Sequence, residues 1–205
     1  MNIKHRSDHT LALLETVETD SAISQRRLAQ QLGVALGLAN SYLKRCVRKG
    51  WVKAHQIPGN RYLYYLTPQG FIEKSRLTGS YLSHSLSFYR KAGESCQRTF
   101  QFAEQRGWQR IVLCGLSDLT EIAIIRAQAY GIDIVAVYDS ETAVDLVLGV
   151  RVLSELDGGF DFDALLITTL DNPSGLYAQL TVRFDLGILL VPDILDWRQQ
   201  LKQGE

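Results

Sequence analysis

Apolar residues keep two rhythms along this chain. In the first half they recur at helical steps of three and four; after Gly107 they gather into short unbroken runs. Leu11, Leu13, Leu14 and Val17 give a helix over Asp8 to Val17. Ser24-Gln-Arg-Arg-Leu-Ala-Gln-Gln-Leu-Gly33 reads as a second helix, capped by a serine and ended by a glycine. A third spans Ala35 to Lys49, and Gly50 stops it. Trp51 to His55 and Arg61 to Leu66 are β-prone runs hinged at Ile57-Pro58-Gly59-Asn60. Thr67-Pro68 then opens a helix, with Thr67 as cap and Pro68 in the first turn. Up to Arg106 only Gly70, Gly79 and Gly93 weaken that helix.

Within it, Leu82, Leu86, Tyr89, Gly93, Cys96, Phe100 and Ala103 alternate at steps of four and three, an a/d stripe. Such a stripe serves either as a seam between two copies or as packing against the rest of the same chain. Beyond Trp108 the pattern alternates between strand and helix. Arg110–Cys114, Ile132–Tyr138, Val150–Leu153, Ala164–Thr169 and Leu186–Val191 read as strands. Leu119–Tyr130, Glu141–Leu148 and Ser174–Arg183 read as helices between them. Nearly all-apolar strands alternating with helices predict a parallel sheet covered on both faces. The fold class is therefore α/β, with domains at 1–78, 79–108 (a connecting or dimerisation helix) and 109–205.

Charge sharpens this division. The 205 residues carry no formal net charge, yet residues 1–110 hold 17 Lys+Arg against 7 Asp+Glu and residues 111–205 hold 5 against 15. The basic half suits a phosphate backbone and the acidic half does not. Cys46, Cys96 and Cys114 are scattered and odd in number, so neither a disulfide framework nor a metal clip is expected. The first residues lack the apolar stretch of a signal peptide, and no run approaches the about 18 apolar residues of a membrane span. A cytoplasmic protein with no membrane partner is expected.

The second and third helices divide by spacing. Leu28, Ala29, Leu32, Val34, Ala39, Tyr42, Leu43 and Cys46 fall on a core-facing side. Gly37, Asn40, Ser41, Lys44, Arg45 and Arg48 fall on the other. Asn and Arg can bond base edges in pairs, whereas Lys and Ser hold phosphates. Together with Lys53, His55, Asn60 and Arg61 on the hairpin, this is a winged helix-turn-helix arranged to bind double-stranded DNA. The string Ser24-Gln-x-x-Leu-Ala-x-x-Leu-Gly-Val-x-x-Gly-x-x-Asn40, with Leu43-Lys44, Lys49-Gly50-x-Val-Lys53 and Tyr65-Leu-Thr-Pro-x-Gly70, resembles MarR-type winged-helix regulators. The likeness runs over residues 21 to about 90 and is greatest to the subgroup associated with exopolysaccharide gene clusters. It implies a dimeric transcriptional regulator, with surface-polysaccharide genes as its target.

The turn after the first strand of the second half is Gly115-Leu-Ser117-Asp118-Leu-Thr120. A dinucleotide fingerprint places glycine at 115, 117 and 120, and only the first is present. Asp118 at the helix start caps the helix and repels a phosphate. Asp139, 24 positions after Gly115, stands where an acid meets ribose hydroxyls. The alternative makes Ser117 and Asp118 plain caps and Asp139 a turn residue. Val112-Leu-Cys-Gly115, Gly131-Ile-x-Ile-Val-Ala-Val-Tyr-Asp139, Leu148-Gly149-Val-x-Val152 and Leu165-Leu-Ile-Thr168 resemble Rossmann-like domains of the CoA-binding type. Related domains begin sugar acyltransferases and nucleotide-sugar enzymes. A winged helix placed before such a domain also resembles Rex-type redox-sensing repressors. These likenesses imply a crevice at the strand C-termini, walled by Gly115, Leu116, Ser117, Asp118, Asp139, Thr169, Asp171 and Asn172, for a small-molecule effector. A nucleotide-type ligand is implied: NAD(H), a CoA derivative or a nucleotide sugar. A ligand-free assembly platform is the other reading.

His5 and His9 sit four apart, while His55 and His84 are distant, so no metal site is expected. Asp161 and Asp163 read as a solvated strand start. The chain has no Gly-x-Ser-x-Gly elbow and no Walker loop, so the chain reads as a non-enzyme. The competing function is an enzyme on a nucleotide-linked substrate with the winged helix as a tether.

Overall fold

A computed structural model describes residues 3–59, 61–156 and 161–195, with side chains from Ser7 onward. The chain divides into two units, Met1–Leu86 and Ser87–Glu205.

The first unit holds α1 (Ile3–Thr19), α2 (Gln25–Gln31), α3 (Leu36–Arg48), β1 (Val52–Ile57), β2 (Arg61–Leu66) and the start of α4 (Pro68–Gln105). Ser24 caps α2 by accepting the Arg27 N–H at 3.2 Å. α3 ends in a Schellman motif. Gly50, at φ +71°, donates to Val47 O at 3.0 Å, and Trp51 donates to Cys46 O at 3.0 Å. Those two bonds absorb the last carbonyls of α3 and aim the chain into β1. β1 and β2 pair antiparallel, with Val52 opposite Leu66 and Ile57 opposite Arg61. Leu13, Leu14, Val17, Ile23, Leu28, Ala39, Tyr42 and Leu43 form the core, joined by Val52 and Tyr64 from the hairpin.

α4 starts under tight constraint. Thr67 Oγ1 accepts the Gly70 N–H at 3.0 Å, and Thr67 N–H donates to Trp51 O at 3.1 Å. A Cβ on Gly70 would lie 2.0 Å from Trp51 O, so only glycine lets the helix pass this close to the backbone.

The second unit takes up the rest of α4, followed by β3 (Arg110–Cys114), α5 (Asp118–Ala127), β4 (Asp133–Tyr138), β5 (Leu146–Val147), β6 (Val150–Leu153), β7 (Ala164–Ile167), α6 (Pro173–Thr181) and β8 (Leu189–Leu190). Sheet order among the described residues is β5-β6-β4-β3-β7-β8. All neighbours are parallel except β5 and β6. The expected parallel sheet is present, with β5 added at one edge as an antiparallel strand. β4 lies on one side of β3 and β7 on the other, so strand order reverses at β3, as in doubly wound sheets. Right-handed crossovers then place α5 and α6 on opposite faces.

Two expected elements differ. Glu141–Leu148 is not a helix: Asp139 Oδ1 accepts the N–H groups of Glu141 at 3.0 Å and Thr142 at 3.1 Å, an Asx turn that diverts the backbone. The chain then forms a β5–β6 hairpin whose central residues, Leu148 at φ 47° and Gly149 at φ 82°, both take positive φ, as a two-residue primed turn requires. The expected strand Leu186–Val191 is a 3₁₀ turn over Leu186–Ile188 followed by the short β8, because Asp185 caps that turn through the Gly187 N–H at 2.7 Å.

The a/d stripe of α4 divides along its length. Leu82, Leu86 and Tyr89 are 53%, 61% and 40% exposed, whereas Cys96, Phe100 and Ala103 are fully buried in the core of the second unit. Ser95, also fully buried, donates to Asp193 Oδ1 and accepts the Ile194 N–H at 3.1 Å; Arg98 Nε binds Asp193 Oδ2 at 2.9 Å.

Candidate nucleic-acid interface and second-unit crevice

The buried side of α3 is set by Ala39, Tyr42, Leu43 and Cys46. At 100° per residue the direction opposite them is occupied by Gly37, Ser41, Lys44 and Arg48, all exposed. Asn40 and Arg45 lie on the two flanks and are half-buried. Asn40 Oδ1 and the Tyr42 hydroxyl are buried without a hydrogen-bond partner among the described residues. Burial pushes the Cys46 thiol up to about 11, against a small lowering by Arg45, so this cysteine packs as an inert apolar group.

Register decides what the wing presents. Val52 and Tyr64 face the core, so Ala54 and Gln56 share their side. Lys53, His55 and Arg61 fall on the opposite face, where they form a basic strip. Tyr64 fastens the hairpin to the body: its N–H donates to Ser21 O at 2.8 Å, and Gln25 Nε2 reaches its hydroxyl at 3.4 Å. Asn60 lies outside the described residues. Two further basic residues accompany this surface: Arg26 and Arg27 are exposed at the start of α2, with Arg27 3.7 Å from Asp20. Their signal was in the sequence, since they occupy the polar phase of the same helix whose apolar phase marks the core. The first unit holds 12 Lys+Arg against 5 Asp+Glu over residues 1–86.

In the second unit a crevice of about 390 Å³ opens at the C-terminal ends of β3, β4 and β7 and the start of α6. Gly115, Leu116, Asp139, Thr169, Asp171 and Asn172 line it; Ser117 and Asp118 do not. Tyr138, Ser140, Glu141, Thr142, Leu176 and Gln179 complete the wall. Glu141 and Thr142 come from the loop after β4, within the stretch where the sequence pattern predicts a helix. The lining includes Asp139, Glu141 and Asp171 and no basic side chain.

The amides of the β3–α5 turn are taken by the protein itself. Leu116 N–H donates to Asp139 Oδ2 at 2.7 Å, Ser117 N–H to Thr120 Oγ1 at 2.9 Å, and Leu119 N–H to Ser117 Oγ at 3.1 Å. Ser117 Oγ in turn donates to Thr168 O at 2.6 Å, which holds α5 against the end of β7. With both oxygens engaged by backbone N–H groups, Asp139 staples the β3–α5 turn to the loop after β4. A phosphate seated on this turn has to displace that network. Gly115, at φ +94°, is required by packing: a Cβ there would lie 2.4 Å from Thr169 Cβ and 2.8 Å from Thr169 N.

Asp161 forms an ion pair with Arg110, while Asp163 Oδ2 accepts the N–H groups of Gln109 and Arg110, each at 2.8 Å. Those two backbone bonds hold the Asp163 carboxyl below the usual carboxylate range, the Arg110 bond first. For Asp193, burial works to raise the pKa, but the hydrogen bonds from Ser95 and Arg98 outweigh it and the net direction is down. No group of three or more His, Cys, Asp or Glu among the described residues is placed to hold a metal, and no helix among them is long and apolar enough to cross a membrane.

Residues 6–53 match the family model described as winged helix-turn-helix DNA-binding. No curated protein matches the chain significantly. Among solved structures, the PcaV transcriptional regulator from Streptomyces coelicolor is 21% identical, with a TM-score of 0.40 over 48% of this chain and 74% of that one. The same regulator in complex with its natural ligand and a protein with unknown function from Listeria innocua Clip11262 are each 22% identical, with TM-scores of 0.36 and 0.31. This chain spans only 57% and 50% of those two. Human N-acetylserotonin methyltransferase in complex with SAM is 14% identical over 90% of this chain and 75% of that one, with a TM-score of 0.33. What stands on fold and family match together is that the first unit carries a winged helix-turn-helix domain of the DNA-binding kind.

Proposed function

We propose that this chain is a DNA-binding transcriptional regulator that inserts α3 into the major groove of double-stranded DNA and lays its wing along the backbone. The observation that carries this reading is that one winged helix-turn-helix unit exposes Ser41, Lys44 and Arg48 on the outer face of α3 and a basic strip of Lys53, His55 and Arg61 on the outer face of the wing. The resemblance to MarR-type regulators supports a homodimer on two half-sites and surface-polysaccharide genes as the target. The exposed Leu82 and Leu86 on α4 are the part of the stripe left for a second copy. The second unit either senses a small effector in its crevice or assembles subunits. Engagement of the β3–α5 amides by Asp139, Thr120 and Ser117 favours assembly over a dinucleotide sensor.

Fluorescence anisotropy on the duplex upstream of the protein's own gene, over a salt series, tests the DNA assignment. Lys44→Ala combined with Arg45→Ala should weaken binding and flatten the slope of log K against log salt by roughly one to two. A variant with unchanged affinity and slope removes α3 as the DNA-reading element.

A further inference from the structure

α3 carries an apolar residue where a groove-reading helix first meets the bases. Leu36 is the first residue of the helix, directly after the Ala35 cap, and it is 46% exposed although the unit has a full core. Gly37 beside it adds no side chain of its own and has nothing within 4 Å of the place a Cβ would take. At 100° per residue, Leu36, Asn40 and Val47 lie together at one boundary between the buried and outward sides of α3, while Arg45 lies at the other. The two boundaries differ in chemistry: Val47 is also exposed, at 39%, so Leu36 and Val47 put apolar side chains beside Asn40 at one, and the other carries Arg45. In a helix-turn-helix the N-terminal residues of the second helix contact base edges. The apolar feature on the major-groove edge of a base pair is the 5-methyl group of thymine.

We infer that Leu36 is a specificity-determining residue that reads a thymine methyl group in each half-site. This rests on the DNA-binding reading above and adds the identity of a base it selects. Basic residues along Lys44, Arg48 and the wing supply affinity for any duplex; Leu36 contributes preference without adding charge.

The test is a pairwise removal of methyl groups. Duplexes bound by the full chain are enriched from a random pool, and each thymine of the preferred sequence is replaced in turn by deoxyuridine, which lacks only the 5-methyl group. With the unmodified protein, one position in each half-site should lose about fourfold in affinity, the value of one buried methyl-sized group. In Leu36→Ala, and in Leu36→Gln, which keeps length and helix propensity, the same deoxyuridine exchange should have no effect, while the salt slope stays unchanged. Both variants should keep their thermal midpoint, since the side chain is half exposed. If every deoxyuridine duplex weakens the unmodified protein and the Leu36 variants equally, or none weakens either, the inference fails while DNA binding stands. A pool from which nothing is enriched overturns the DNA-binding reading and this inference together.

Discussion

Replacing Gly115 by alanine separates a packing role from a ligand role for the one glycine that survives of a dinucleotide fingerprint. Two costs are expected, and the structure sizes both. The first is conformational: φ is +94°, and holding an L side chain in left-handed backbone costs about 1–2 kcal/mol. The second is steric. The new Cβ lies 2.4 Å from Thr169 Cβ, so β3 and β7 must part or Thr169 must shift; overpacking of this kind costs about 1–3 kcal/mol. Gly131 supplies the control. Its φ is +63°, and nothing lies within 4 Å of a Cβ, so Gly131→Ala carries the first cost without the second. Gly115→Ala should therefore destabilise the second unit by about 2–5 kcal/mol and Gly131→Ala by about 1–2. Native-state hydrogen exchange of the amides in β3 and β7 reads this unit by itself, which matters because a two-unit chain need not unfold in a single step. Equal losses in the two variants refute the packing account. A Gly115→Ala protein of normal stability that has lost a ligand would return this residue to a binding role.

Three further outcomes follow. Asp163 has a folded-state pKa below its unfolded value, so its contribution is present above about pH 4 and is lost as pH falls through the lowered value. Asp163→Asn should cost roughly 1 kcal/mol at neutral pH and nothing at the acid end, measured by urea unfolding across pH; a gap independent of pH contradicts the assignment. Leu82→Glu with Leu86→Glu should leave stability of the isolated chain nearly unchanged but raise a dimer dissociation constant by about a thousandfold, on roughly 1 kcal/mol for each half-buried leucine of both copies. Sedimentation velocity checks this, and an unaltered dimer places the seam elsewhere. Thermal shift with NADH, CoA derivatives or nucleotide sugars should show no stabilisation, because the turn amides are already bonded; a stabilisation of several degrees means the Asp139 staple opens for a ligand.

The helices of the first unit were legible because caps and glycine stops are local. Ser24, Gly33, Gly50 and Thr67 mark boundaries within a turn of where they fall in the structure. The outward face of α3 was legible for the same reason, since a 3.6-residue period needs nothing beyond the helix itself. What failed to show depended on partners far along the chain. Glu141–Leu148 has a helical pattern, but the side chain of Asp139 and the positive φ of Leu148 redirect it, and no apolar rhythm encodes either. The α4 stripe keeps one period throughout; only the presence of a sheet shows that Phe100 is covered and Leu86 is not. For Asp139 the spacing from Gly115 leaves a ribose acceptor and a turn residue both open, and it encodes nothing of the three backbone amides that its oxygens meet. The short-range half of the crevice, the turn and its caps, was visible; the acidic loop across from it was not.

The burial of Ser95, Cys96, Phe100 and Ala103 bears on how this protein can be taken apart and how such proteins can be assembled. A cut made at Gln109, where the sheet begins, leaves Tyr130 without Phe100 and strips Asp193 of its serine and arginine. The sheet is therefore portable only when it travels with the last five turns of α4. Exchanging the first unit for another has to splice helix to helix near Ser87, and each residue added or deleted at that splice shifts the phase of α4 by about 100°. Recombination at this joint is thus limited to insertions or deletions near whole numbers of helical turns, such as seven or eleven residues, if α4 is to keep the phase that buries Cys96, Phe100 and Ala103.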